Sequence, residues 1–196
     1  FLEYYEGEEI VGIFFFFATI ATSIHLLATF AVGVFKGPIA IDEFRNRGLT
    51  AYRKVRKDMF KQYLLVLLIG LPLAVLLIEP LLLFIERDLY VEFLVIYYIM
   101  LAMNVVSLFS GLANLDLYVR SLDKSIMVAN GLGCVVGVSM QFILVSNYGI
   151  YGAPIASFLS ALSLWFILLL TYRFAVYKDP TLIEGLSLKN TLKEQL

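Results

Sequence analysis

The chain has 196 residues, 61% of them hydrophobic and only 16% charged, with a net charge of −1 and a mean hydropathy of +0.87. A soluble domain is nearer half apolar, and so few polar side chains cannot form a polar shell around a core this large. Near-neutral charge without a basic, aromatic-interleaved groove argues against nucleic acid as a partner, while a single cysteine (Cys134) and a single histidine (His25) exclude an internal disulfide and a two-histidine metal centre.

Five apolar stretches are long enough to cross about 30 Å of hydrocarbon at about 1.5 Å per residue. They lie at about 11–35, 62–78, 91–115, 126–146 and 153–175, within a membrane bundle over 1–176, with a tail at 177–196. The expected fold class is therefore an all-α membrane protein of about five transmembrane helices. No charged leader precedes a short apolar run, so no signal peptide is read. Phe1 at the start suggests that the chain begins partway through a larger protein.

In the first span Ala21, His25, Thr29 and Gly33 share a helical face. His25 is either a neutral, hydrogen-bonded ring or a proton relay. The segment 36–61 reads as a basic loop. Within it Leu49, Tyr52, Met59, Phe60 and Tyr63 recur near helical spacing, with Arg53, Lys54, Arg56 and Lys57 between them. That pattern predicts an interfacial helix feeding the second span, its bases serving either anionic lipid or topology alone. Pro72 follows Gly70 in the second span and predicts a kink. Apolar residues after Glu79 allow this span to run on to Ile85.

The third span carries Asn104, Ser107, Gly111 and Asn114 on one face, flanked by Tyr97 and Tyr118, with Asp116 near its end. Polar groups are costly against hydrocarbon, so this face must turn toward protein or a wet cavity. Interhelical hydrogen bonding and cavity lining both satisfy that demand. In the fourth span Ser125, Ala129, Gly133, Gly137 and Gln141 recur every four residues; the fifth offers Ala153, Ser157 and Ala161. Small residues at this spacing let backbones approach closely. A tight antiparallel hairpin is predicted across the short uncharged turn 147–152. Leucines among the last 20 residues suggest a short surface helix.

Charge sets the orientation. Glu3, Glu6, Glu8 and Glu9 precede the first span without a base, eight bases follow it, and 14 of the 15 Lys and Arg residues fall on alternate connections. The positive-inside rule then gives out–in–out–in–out–in, with a cytoplasmic C-terminus. The sequence shows neither a P-loop nor a Ser/His or His/Asp/Glu cluster in a loop, so no enzyme activity, metal or cofactor is expected.

Two segments carry a family resemblance. One is Glu9-Ile10-Val11-Gly12-Ile13-Phe14; the other runs from Gln141 through Ser146, Tyr148, Gly149, Ile150, Gly152, Ala153, Pro154, Ile155 and Ala156 to Ser157. Over about residues 8–176 the chain resembles the C-terminal portion of polysaccharide-repeat flippases, the O-antigen and capsule branch of the multidrug/oligosaccharidyl-lipid/polysaccharide exporter superfamily. Gly149, Ile150, Gly152, Ala153, Ile155 and Ala156 match the family pattern. Phe14, Gln141, Ser146, Pro154 and Ser157 stand where members have Tyr, Asn, Pro, Ala and Thr.

The resemblance implies a transporter of twelve or more helices in two bundles, with a preceding N-terminal half as partner. It implies translocation of a lipid-linked oligosaccharide, a polyprenyl-diphosphate repeat unit, across the inner (cytoplasmic) membrane for envelope polysaccharide synthesis. Alternating access would move the cargo. Asn104, Ser107, Asn114, Asn130 and Gln141 are the candidate cavity residues, with His25 as a possible proton relay. The alternatives are a drug or cation exporter of the same superfamily and a non-transporting membrane scaffold for glycan assembly.

Overall fold

A computed structural model describes residues 7–85 and 88–178, and the described backbone is helical, without a strand. Beyond Lys178 the tail expected to form a surface helix falls outside these residues. Helix α1 runs over Glu8–Arg47, with a π-helical stretch at Thr29–Val34. The others are α2 (Leu49–Ile85), the short α3 (Asp88–Glu92), α4 (Leu94–Tyr118), α5 (Asp123–Tyr148) and α6 (Gly152–Lys178). A 3-10 turn at Gly149–Tyr151 joins the last two.

Four continuous helical stretches are long and apolar enough to cross a membrane: Glu8–Arg47, Leu49–Ile85, Leu94–Tyr118 and Asp123–Tyr177. The last has 55 residues and doubles back at Gly149, so the expected fourth and fifth spans are the two arms of one hairpin. Large apolar side chains cover the outside, among them Leu68, Leu76, Phe84, Val135 and Phe174. So large an apolar exterior suits lipid and not water.

Two expectations for the segment 36–61 are corrected. It is not a loop: α1 continues through it to Arg47, the chain reverses at Gly48, and α2 starts at Leu49. At about 1.5 Å per residue, α1 and α2 are about 60 and 55 Å long, so both outrun the hydrocarbon and their ends pack on each other beyond it. Nor is there a separate interfacial helix, because Leu49–Ile85 is one helix in which Leu49, Tyr52, Met59 and Tyr63 form the buried face. The apolar periodicity is real, but its partner is α1 and α4, not the membrane surface. Gly48 has φ 80°, a left-handed turn that a Cβ would strain. Helix α2 continues through both Pro72 and Pro80.

Contacts set the helix directions. Phe17 meets Tyr97 and His25 meets Asn104, so α1 and α4 are parallel. Phe93 meets Tyr151 and Arg120 meets Tyr172, so α4 and α6 are parallel as well. Phe60 meets Phe109 and Tyr97 meets Ala74, so α2 runs against α4. Helices α1, α4 and α6 therefore run one way and α2 and α5 the other, the alternation that the charge pattern requires. One end of the bundle is basic and holds the Gly48 turn. The opposite end is closed by Ile13, Phe17, Phe93, Ile96, Tyr97 and Ile150.

The hairpin is as tight as its small residues predict. A Cβ on Gly133 would lie 2.8 Å from Leu164 Cδ1, and one on Gly137 would lie 2.6 Å from Ser160 Oγ. Gln141 donates to Ser157 Oγ at 3.0 Å and to the Ala153 carbonyl at 3.3 Å. The facing ridge on α6 is therefore Ala153, Ser157, Ser160 and Leu164. Ala161, expected in that ridge, lines cavity space beside it.

Candidate functional site

A cavity of about 400 Å³ lies between α1, α2, α4 and α6, toward the basic end. Helix α1 contributes His25, Thr29, Gly33 and Gly37, α2 Met59 and Tyr63, α4 Ser107, Ser110, Gly111 and Asn114, and α6 Ala161 and Leu164. Its polar groups are hydroxyl, amide and imidazole groups, and no carboxylate, Lys or Arg is among the lining residues.

Local sequence opens this space. Pro38 has no N–H to give the Val34 carbonyl, and the π-helical turn at Thr29–Val34 ends immediately before that interruption. A π turn widens the helix locally and recurs at functional sites. Two glycines, Gly37 and Gly111, then leave room where side chains would fill it, while Gly33 lets Tyr63 approach closely. A Cβ on Gly37 or Gly111 would have no neighbour within 4 Å; on Gly33 it would lie 2.9 Å from Tyr63 Oη.

The sequence candidates divide into two groups. Ser107 and Asn114 line the cavity, and His25 lines it from the opposite helix. Asn114 Oδ1 is buried and has no hydrogen-bond partner among the described residues. His25 Nδ1 lies 3.4 Å from the Asn104 carbonyl oxygen, which can only accept, so the ring donates from Nδ1. Asn104 itself is buried and gives its amide to the Met100 carbonyl at 2.8 Å. Asn130 likewise bonds back to Ile126 in its own helix. Gln141 braces the hairpin and also borders a second cavity of about 520 Å³, with Met103, Ser107, Cys134 and Ser160. Ser107 borders both cavities.

A polar cluster at the basic end was not foreseen. Asp116 accepts from Arg56 Nε at 2.7 and 2.8 Å and from Tyr52 Oη at 2.6 Å. Arg120 is 8% exposed; it gives one Nη to the Asp116 main-chain carbonyl and the other to Tyr172 Oη at 3.3 Å. Its guanidinium lies 4.9 Å from the Tyr172 ring centre and 5.6 and 5.7 Å from those of Phe44 and Tyr52. Among the described residues no carboxylate pairs with Arg120, and its Nε has no partner. Cation–π attraction from three rings supplies what a counter-ion would.

Tyr52 stands in the charged stretch ahead of the apolar part of α2. Burial first, and then the Asp116 charge, push its phenol above the ordinary value, so it stays protonated and donates. The cluster ties together α1, α2, α4 and α6. Its sequence signal was slight, an Asp and an Arg four apart at the end of a span, because Phe44, Tyr52, Arg56 and Tyr172 come from three other helices.

Comparison with known protein families, with curated proteins and with solved structures finds no match to this chain.

Proposed function

We propose that this chain is part of a membrane transporter that carries a lipid-linked oligosaccharide across the cytoplasmic membrane for envelope polysaccharide assembly. The observation that carries this reading is a polar cavity, free of carboxylates, Lys and Arg, inside a bundle whose exterior is apolar. Sugar hydroxyls need both donors and acceptors at short range, and Ser107, Ser110, Thr29, Tyr63 and Asn114 offer both. The unpaired Asn114 Oδ1 is an acceptor that cargo would satisfy. The resemblance of residues 8–176 to polysaccharide-repeat flippases supports the same class of cargo by analogy.

In this reading the basic end faces the cytoplasm, and the cavity alternates between the two leaflets as helices rock against one another. Ser107 borders both cavities and so stands where cargo would pass between them. A cation exporter would need a carboxylate in the cavity, and none lines either of the two cavities. A scaffold would need a free docking loop, and segment 36–61 is packed helix instead.

The test depletes the full-length protein in its host and locates the polyprenyl-linked oligosaccharide with an impermeant sugar-modifying enzyme. Accumulation in the cytoplasmic leaflet, with sugar assembly intact, is expected. Normal delivery to the outer leaflet overturns the proposal.

A further inference from the structure

Helix α2 carries an outward stripe that changes character within a single turn. Arg53, Lys54, Lys57 and Lys61 are all exposed, and among the described residues none of them has an ion-pair partner. At about 100° per residue, these four bases fall within an arc of about 100°. Tyr52, Met59 and Tyr63 occupy the far side, buried against the bundle. Leu64, Leu65 and Leu68 continue the same outward arc and are 44%, 58% and 76% exposed.

One uninterrupted helix face is thus cationic up to Lys61 and apolar from Leu64 as far as Ile78, about 21 Å of helix before Glu79. An acidic soluble protein would match the bases but not the leucines. A membrane boundary matches both, because acyl chains cover the leucines and headgroups lie level with the bases. The stripe from Arg53 to Lys61 is about 12 Å long. That length fits within the headgroup layer of about 5–8 Å plus a screening length of about 8 Å. The flexible stems of Lys and Arg extend the reach further.

We propose that Arg53, Lys54, Lys57 and Lys61 form a binding surface for anionic phospholipid headgroups in the leaflet at the basic end. The nearby bases Lys36, Arg47 and Arg56 are already paired with Asp58, Glu43 and Asp116. The four stripe residues are therefore uncommitted cations at the boundary, and anionic headgroups gather at them with an attraction that is additive per charge and weakened by salt. The lipid surface is independent of what the cavity carries.

The test puts a reporter on the stripe. In the full-length protein, every native Trp, Trp165 of α6 among them, is changed to Phe, and Leu64→Trp places a single indole a turn beyond Lys61. The protein is reconstituted into phosphatidylcholine vesicles holding equal amounts of phosphatidylglycerol, with either lipid brominated on its acyl chains. Brominated phosphatidylglycerol should quench the introduced indole as though enriched about tenfold over phosphatidylcholine. R53Q/K54Q/K57Q/K61Q should abolish that preference, and K54R/K57R/K61R should retain it. If the glutamine variant does not fold, raising the salt on the unchanged stripe decides: the preference must fall several-fold. Equal quenching by the two lipids with the bases intact overturns the proposal and leaves the stripe to an acidic protein. A preference that survives the four glutamines, or that ignores salt, overturns it as well.

Discussion

The two sides of α6 are built from similar material and reach opposite results. Toward α5, Gly133 and Gly137 stand opposite Leu164 and Ser160, and the backbones close until a methyl group would collide. Toward α1 and α2, Gly37 and Gly111 also offer no side chain, yet a Cβ on either would meet nothing within 4 Å and a cavity remains, although α4 itself packs along α6. The difference lies in what faces each glycine. In the hairpin, small and complementary residues repeat in register along both arms, so each closure assists the next. On the other side, the π-helical turn and Pro38 disturb α1 just where its glycines come, and Met59, Tyr63 and Leu164 line the space that remains. A glycine in a membrane helix marks tight packing only where its neighbour presents a matching ridge.

Substitutions can break this comparison. The largest effect is expected at Gly152, where a side chain would run into the Leu144 carbonyl and the Val145 amide, main-chain atoms that cannot swing aside. Gly152→Val should cost about 3 kcal/mol or more, read as loss of the folded protein in a thermal melt in detergent. Asp116→Ala comes next, because it strips Arg56 and Tyr52 of their shared acceptor at a buried position. A loss of about 3 kcal/mol is expected. Arg56→Met with Asp116→Leu should recover much of it, which a double-mutant cycle would detect.

Gly137→Ala should be milder, about 1–2 kcal/mol, since the atom in its way is the rotatable Ser160 hydroxyl. Gly111→Leu sharpens the contrast at the small end. Its added side chain enters open space, so stability should change by less than about 0.5 kcal/mol while leaflet transfer of cargo falls sharply. If Gly111→Leu and Gly137→Leu melt at the same temperature, the two sides of α6 do not differ in the way described.

Sequence reasoning reached the parts of the site that sit on one helix. Ser107, Gly111 and Asn114 follow from the helical repeat alone, as do His25, Thr29 and Gly33. Asn104 shares the α4 face by spacing but was spent on its own Met100 carbonyl, and Asn130 was spent on Ile126 in the same way. An amide's choice between its own backbone and a cavity depends on which neighbour is near, and sequence spacing carries no such information. The Asp116–Arg56–Arg120 cluster was hidden for a related reason. Its contacting residues lie up to 76 positions apart, as Phe44 and Arg120 do, and only packing brings them together.

Composition alone determined that this chain belongs in lipid, since 61% hydrophobic residues leave too few polar groups for an aqueous surface. Charge placement determined the alternation of helix directions, and small residues at fourfold spacing determined the α5–α6 hairpin. All three are local or cumulative properties, which a linear pattern records. Tertiary structure alone decided that 36–61 is paired helix and not loop, that the cavity lies beside the π-helical turn, and that Arg120 rests among three aromatic rings instead of on a carboxylate. These depend on which faces meet across helices far apart in the chain, and that is settled by how the whole bundle fills space.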